Sequence, residues 1–145
     1  MDYIAGFGRA SIAPGVSIVK PPWGRITAID LTTGDHAWMI ANGDTPPHVA
    51  ERLELDPATI PRTGKPSRAG LLVTGSLLFA GEGMSGDAIL RAHDKATGQI
   101  MAELELPGAQ IGLPMSYMHE GKQYIIVAVS ARGEPAEIVA FALPN

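Results

Sequence analysis

The sequence predicts an all-β fold, and three observations carry that expectation. Glycine and proline supply 17 and 12 of the 145 residues, a turn-rich composition that suits many short strands better than a helical bundle. Short β-rich runs follow one another along most of the chain, separated by glycine-containing turn signals. One strand–turn–strand pattern also occurs twice with the same residues at the same offsets, the mark of a repeat architecture.

Taken in order, residues 1–24 are rich in glycine and proline and irregular, ending in Lys20-Pro21-Pro22-Trp23-Gly24. Arg25-Ile26-Thr27-Ala28-Ile29-Asp30 and His36-Ala37-Trp38-Met39-Ile40 then read as a hairpin closed by Thr33-Gly34, with glycine supplying the positive φ. Residues 42–68 interrupt the strand pattern as a long insertion. A loop of that length in a compact domain is usually functional or packs over something. Within it, Thr45 is placed to cap a short helix over His48–Leu53, with proline pre-set in the first turn. Leu71–Thr74 and Leu77–Ala80 flank Gly75-Ser76, and Ala88–His93 and Ile100–Leu106 flank Lys95-Ala96-Thr97-Gly98. Met115–Met118 and Gln123–Val129 flank His119-Glu120-Gly121-Lys122, and a last run, Ile138–Leu143, ends against Pro144.

The repeat aligns Ala28, Asp30, Thr33, Gly34 and Trp38 with Ala92, Asp94, Thr97, Gly98 and Ala102. Its parts have physical roles: the small alanine allows close packing, the aspartate accepts turn amide hydrogens, Thr-Gly closes the turn, and tryptophan wedges between neighbouring sheets. Ala102 in the second copy weakens that wedge. Composition excludes several classes. A hydrophobic fraction of 46% with net charge −4 argues against disorder and leaves no basic footprint for nucleic acid or anionic lipid. With no cysteine, thiol catalysis, disulfides and zinc–thiolate sites are absent. No apolar run approaches the roughly 20 residues of a membrane helix. Met1-Asp2-Tyr3-Ile4-Ala5-Gly6-Phe7 shows neither the basic region nor the long apolar region of a signal peptide.

At this point the sequence resembles a known family. Ala-x-Asp-x-x-Thr-Gly-x-x-x-Trp is similar to the tryptophan-docking motif of the eight-bladed β-propeller quinoprotein dehydrogenases, which use pyrroloquinoline quinone (PQQ). Lys20–Asp30 resembles the segment entering a late blade of the membrane-type glucose dehydrogenases. Gly112-Leu113-Pro114-Met115-Ser116-Tyr117 with Gly121-Lys122-Gln123-Tyr124 resembles the near-C-terminal blade, and Phe141-Ala142-Leu143-Pro144 its closing strand. The resemblance implies a partial β-propeller of about two to three four-stranded antiparallel blades, all within residues 1–145. Residues 24–40 would be the outer strands of one blade, 69–106 a complete blade, and 112–143 three strands of the closing blade. It implies a C-terminal segment whose missing blades hold the catalytic groups and the calcium or magnesium ligands, so no catalytic or metal-binding residue is named. Remaining blades or self-association are the expected partners, because isolated blades expose sheet faces and edges. In the complete enzyme, a base would take the proton of a sugar or alcohol hydroxyl while hydride passes to a quinone carbonyl polarised by Ca²⁺ or Mg²⁺. Lys-Pro-Pro and Asn42-Gly43-Asp44-Thr45-Pro46 lean toward the glucose branch, and the family works in the periplasm.

Two residues are candidates for the cofactor pocket on this resemblance. Asp87 stands before Leu90-Arg91-Ala92, where glucose dehydrogenases carry an acid near the cofactor; a solvated turn aspartate is the alternative. Arg68 precedes Ala69-Gly70, where alcohol-oxidising relatives place an in-plane tryptophan; it can pair with a PQQ carboxylate or simply end the loop at the surface. Trp23 is either a rim aromatic or a loop anchor. Gly81-Glu82-Gly83-Met84-Ser85-Gly86 matches G-x-G-x-x-G, but a dinucleotide site needs a following helix, and the Thr97-Gly98 turn comes too soon. It reads as a connection between strands. His36, His48, His93 and His119 lack zinc-ligand spacing, and His36 and His93 read as surface strand positions. A non-catalytic propeller module, or a small protein that closes a ring by self-assembly, remains the rival reading.

Overall fold

The computed structural model describes residues 10–83 and 86–142. Met1–Phe7, Met84, Ser85, Leu143 and Pro144, all invoked above, lie outside the described residues. Among the described residues, twelve strands form antiparallel sheets. β1 (Ser11–Ala13) and β2 (Val16–Ser17) pair with each other, as do β3 (Arg25–Ile29) and β4 (His36–Ala41). A helix α1 (Pro47–Leu53) and a short 3-10 turn (Pro57–Thr59) occupy the insertion. β5 (Leu71–Val73), β6 (Leu77–Gly81), β7 (Ile89–Asp94) and β8 (Ile100–Glu105) form a four-stranded meander. β9 (Ala109–Gln110), β10 (Met115–His119), β11 (Lys122–Ser130) and β12 (Glu137–Ala142) form the last sheet.

Three local expectations are corrected. Residues 1–24 are not wholly irregular, because Gly15 at φ +80° turns the chain between β1 and β2. The last sheet has a further strand, β9, which pairs with Val129 and Ser130 of β11. The Ile111 amide also donates to the Ala128 carbonyl at 2.9 Å. β9 and β10 therefore lie along β11 as one strand broken at Gly112–Pro114. Thr45 does not cap α1: Pro46 holds the N-cap position without a side-chain bond. The Thr45 hydroxyl instead donates to the Pro61 carbonyl and accepts from the Thr63 amide, both at 3.1 Å, tying the two limbs of the insertion together.

The repeated hairpins have matching geometry. The Gly34 and Gly98 amides donate to the carbonyls of Asp30 and Asp94 at 2.7 and 2.8 Å. Asp30 Oδ1 accepts from the Thr32 amide at 2.8 Å. Asp94 Oδ1 accepts from the Ala96 and Thr97 amides and the Thr97 hydroxyl at 2.8–3.0 Å. Those bonds favour the ionised form and hold both carboxyls below their ordinary pKa: for Asp30 the Thr32 amide is the main cause, for Asp94 the Thr97 hydroxyl. Both glycines have the positive φ the turn needs, +82° and +77°.

Strand alternation gives the β5–β8 sheet two apolar faces. Phe79, Leu90 and Ala92 pack with Leu106, Val127 and Val129, joining it to the β9–β12 sheet. Leu78 and Ala80 pack with Ile26, Trp38 and Ile40 of the β3–β4 hairpin. Trp38 reaches across this junction, its indole Nε1 donating to the Lys95 carbonyl at 3.0 Å, while its ring lies against Gly98. A Cβ on Gly98 would fall 2.8 Å from Trp38 Cε3. The sheets thus stack in chain order through alternate faces, as propeller blades do. The outer face of the last sheet carries the Tyr117–Tyr124 pair, ring centroids 5.2 Å apart, beside exposed Met115 and Ile138.

Gly98→Ala and Gly121→Ala separate backbone strain from this contact. Both glycines have φ +77°, but nothing lies within 4 Å of a Cβ on Gly121. Gly121→Ala is expected to cost about 1 kcal/mol from strain alone, and Gly98→Ala about 1–3 kcal/mol more from overpacking against Trp38. Urea unfolding of the two variants measures the difference.

Candidate functional site

The insertion, the β6–β7 connection and the β7–β8 strands meet at one buried carboxylate. Glu82 follows β6, and its side chain is fully buried. Room for it comes from glycines on both sides: a Cβ on Gly43 would stand 2.9 Å from its carboxyl carbon, and one on Gly86 would stand 2.0 Å from its Cβ. The glycines of the G-x-G-x-x-G string thus belong to a strand connection, and Gly86 makes way for an acid rather than for a phosphate.

An isolated buried charge is very costly, so partners must surround it. The Arg91 Nη1 group on β7 donates to Glu82 Oε1. Glu82 Oε2 accepts from Lys65 Nζ at 3.1 Å and from the Asp87 backbone amide at 2.9 Å. Lys65 also pairs with Asp87 Oδ2 at 3.0 Å. Arg91 extends the network to Glu103 on β8 at 2.6 Å and to Asp44 in the insertion at 3.5 Å, and Asp44 pairs with Arg62 at 2.7 Å. Burial alone pushes the Glu82 carboxyl up, but the bonds from Arg91, the Asp87 amide and Lys65 outweigh it and leave the pKa lowered. Burial pulls Lys65 and Arg91 down, and their carboxylate partners more than reverse it. Glu82, Lys65 and Arg91 are therefore charged together at neutral pH.

Asp87 lies at the open side of this network, with about half of its side chain exposed. It is a paired carboxylate on a fixed backbone. Arg68 is exposed and makes no ion pair or hydrogen bond with a described residue. Its neighbours Ser67 and Ala69 nevertheless pack against Gly83, so Arg68 and Asp87 rise from the same loop cluster. Trp23 is a loop anchor: its indole donates to the Val19 carbonyl at 2.6 Å and its amide to the Thr63 carbonyl at 2.7 Å.

Sequence reasoning missed Glu82, Lys65 and His93. Nothing in local pattern marks Glu82 as buried, since glycine on both sides of an acid is equally common in exposed turns. His93, read as a surface position, is 1% exposed. It lies opposite Leu78 and Ile100 on the face that the β3–β4 hairpin covers.

The carboxylate oxygens of Asp44, Glu82 and Asp87 come within 4.8 Å of one another. Lys65 already bridges Glu82 and Asp87, and Arg91 bridges Glu82 and Asp44, so a divalent cation would have to compete with both. The cationic groups nearest Asp87 are likewise committed to carboxylates.

Residues 5–125 match the family described as PQQ: glucose/ethanol/alcohol dehydrogenase, β-propeller domain. The quinate/shikimate dehydrogenase (quinone) of Acinetobacter baylyi is 33% identical over 97% of this chain and 18% of its own length. The quinoprotein glucose dehydrogenase of Gluconobacter oxydans is 34% identical over 86% of this chain and 16% of its own. The chain therefore spans less than a fifth of the relatives it matches. Among solved structures, the quinohemoprotein alcohol dehydrogenase of Comamonas testosteroni shares the fold, with TM-score 0.57 and 24% identity over 81% of this chain and 16% of that one.

Replacing Glu82 tests the network. Glu82→Ala removes the one fully buried partner that Arg91 and Lys65 share, leaving them only the more exposed Glu103, Asp44 and Asp87, and is expected to cost about 3–5 kcal/mol. Because the folded pKa of Glu82 lies below its ordinary 4.5, its contribution is complete above that value and is lost as pH falls through the folded pKa. The stability gap between wild type and Glu82→Gln, from urea unfolding at a series of pH values, should therefore be largest near neutrality and narrow below pH 4.5.

Proposed function

Because the chain belongs to the PQQ-dependent glucose/ethanol/alcohol dehydrogenase β-propeller family, we propose that it serves as the C-terminal propeller segment of a dehydrogenase. Its substrate class is sugars and polyols. The segment supplies part of the cofactor-pocket wall and closes the ring of blades, while the catalytic groups stand on other blades. The observation that carries this reading is the half-exposed Asp87, held in place by Lys65 and by its own amide on Glu82, in a chain of this family. The glucose preference suggested by sequence widens here, since relatives named for quinate/shikimate, glucose and glycerol match at 28–34% identity, and one named for methanol at 28%.

PQQ is a planar quinone bearing three carboxylates, so its holder needs free cations and donors. The described residues fit one edge of such a site and no more. Lys65 and Arg91 are saturated by carboxylates, whereas Arg68 is open to pair with a cofactor carboxylate. When bound, PQQ would supply the hydride acceptor for the alcohol carbon, with Ca²⁺ or Mg²⁺ as the accompanying ion. Asp87 holds Lys65 and adds negative charge at the rim. Glu82 fixes Asp87 through its backbone amide, and the insertion closes over both. Trp38 acts as the docking tryptophan between blades, and the exposed face of the β9–β12 sheet receives a further blade. The periplasm is the proposed place of work, on family resemblance.

The test is titration of the chain with PQQ and Ca²⁺ or Mg²⁺, followed by quinone absorbance. Saturable binding is expected to weaken about tenfold in Arg68→Gln, the loss of one charge-assisted hydrogen bond, and to change in Asp87→Asn. Binding identical in wild type and both variants would remove Asp87 and Arg68 from the pocket wall. Absence of binding would leave this chain a structural role alone.

A further inference from the structure

We propose that the crevice between the end of β4 and the β7–β8 hairpin is a binding site for a small, neutral polyhydroxyl compound. It is an open crevice of about 340 Å³ lined by Ile40, Ala41, Arg62, His93, Gly98 and Ile100. The central observation is His93. Its Nδ1 lies 3.0 Å from the Gly98 carbonyl, which only accepts, so Nδ1 carries the proton and Nε2 presents a bare lone pair. That Nε2 is buried and has no hydrogen-bond partner among the described residues. A buried polar atom without a partner costs about 1–3 kcal/mol, and a donor reaching Nε2 from the crevice would remove that cost.

The surrounding charges select the kind of donor. Arg62 and Arg91 both act on His93, so a metal ion would enter a field of like charge. An anion would be drawn by the arginines, but Arg62 is already held by Asp44 and Arg91 by Glu82, Glu103 and Asp44, and an anion without an O–H brings no donor to the unprotonated Nε2. A hydroxyl meets neither obstacle: its O–H donates to Nε2 while its oxygen accepts from a guanidinium N–H. Ile40, Ala41 and Ile100 offer apolar surface to the C–H groups of such a molecule. The volume is about ten times the roughly 30 Å³ share of one water and lies at the lower end of the ~300–1,000 Å³ typical of small-molecule sites. The inference is independent of the role given to Asp87.

The test is a titration of the chain with glycerol and then glucose, read in two-bond ¹H–¹⁵N spectra of the imidazoles. The His93 Nε2 signal should move and saturate at millimolar concentrations, while those of His36, His48 and His119 stay in place. Arg62→Met should weaken the titration about tenfold, as expected for one lost charged hydrogen bond. His93→Asn keeps a donor for the Gly98 carbonyl and deletes the Nε2 acceptor, so saturation transfer from protein to glucose should vanish in a chain whose urea midpoint shows it folded. A His93 signal that drifts linearly without saturating, an unaltered titration in Arg62→Met, or undiminished transfer in His93→Asn would each overturn the assignment.

Discussion

The ion pair between Glu82 and Arg91 is the constraint on which the rest of this structure depends. Both side chains are almost completely buried, and a buried charge stripped of its partner is among the most destabilising single defects a fold can carry. Every element that touches the pair is therefore held to a narrow position. β7 delivers Arg91, β8 delivers Glu103, the insertion delivers Lys65 and Asp44, and the β6–β7 connection must present the Asp87 amide. The Gly64 region of the insertion also packs against Gly24, with the Lys65 amide donating to the Asn42 carbonyl at 2.9 Å. A segment that looks like a loop in sequence is thus a packed wall.

Around that constraint the architecture is repetitive. Each sheet shows one face to its predecessor and the other to its successor, and the side-chain period of two lets a single strand serve both. Phe79 and Leu78 are neighbours in β6, yet they join different cores. The turn chemistry is equally economical: Asp30 and Asp94 organise their hairpins by accepting turn amides, and the glycine that follows supplies the positive φ. In the second hairpin that glycine does a further job, giving the Trp38 ring a flat surface to lie on. The outer face of the last sheet leaves Met115, Tyr117 and Ile138 exposed.

The site combines features of different origin. The glycines around Glu82 provide space, the arginine and lysine provide charge, and the half-exposed Asp87 offers a carboxylate whose position is set from behind by its own backbone amide. His93 belongs to the same face of the β5–β8 sheet but to a different chemistry, because its environment keeps it neutral while Arg91 beside it stays charged. The two neighbouring inward positions of β7 thus carry opposite solutions to burial: one charge compensated by ion pairs, one ring kept free of charge.

How much was legible follows from the range of the forces involved. The strand runs from β3 to β8 and β10 to β12, with the hairpins between them, could be read because alternation and turn chemistry are local. Asp94, Thr97 and Gly98 close the same turn in almost any context. The repeat carried the fold class and the family for the same reason. The short strands β1, β2 and β9 were not legible, since two or three residues have no pattern and pair only where a neighbouring backbone is already in place. Thr45 looked like a cap because its local sequence fits one, but a tertiary partner, the far limb of the insertion, took its hydroxyl. Burial of Glu82, Arg91 and His93 was decided only in three dimensions, because it depends on which sheet covers which face, and nothing within a few residues of an acid, a base or an imidazole reports that. The sequence by itself determined the strands, their turns and the family. The tertiary structure decided which polar side chains were taken out of water, and so which of them have chemistry to do.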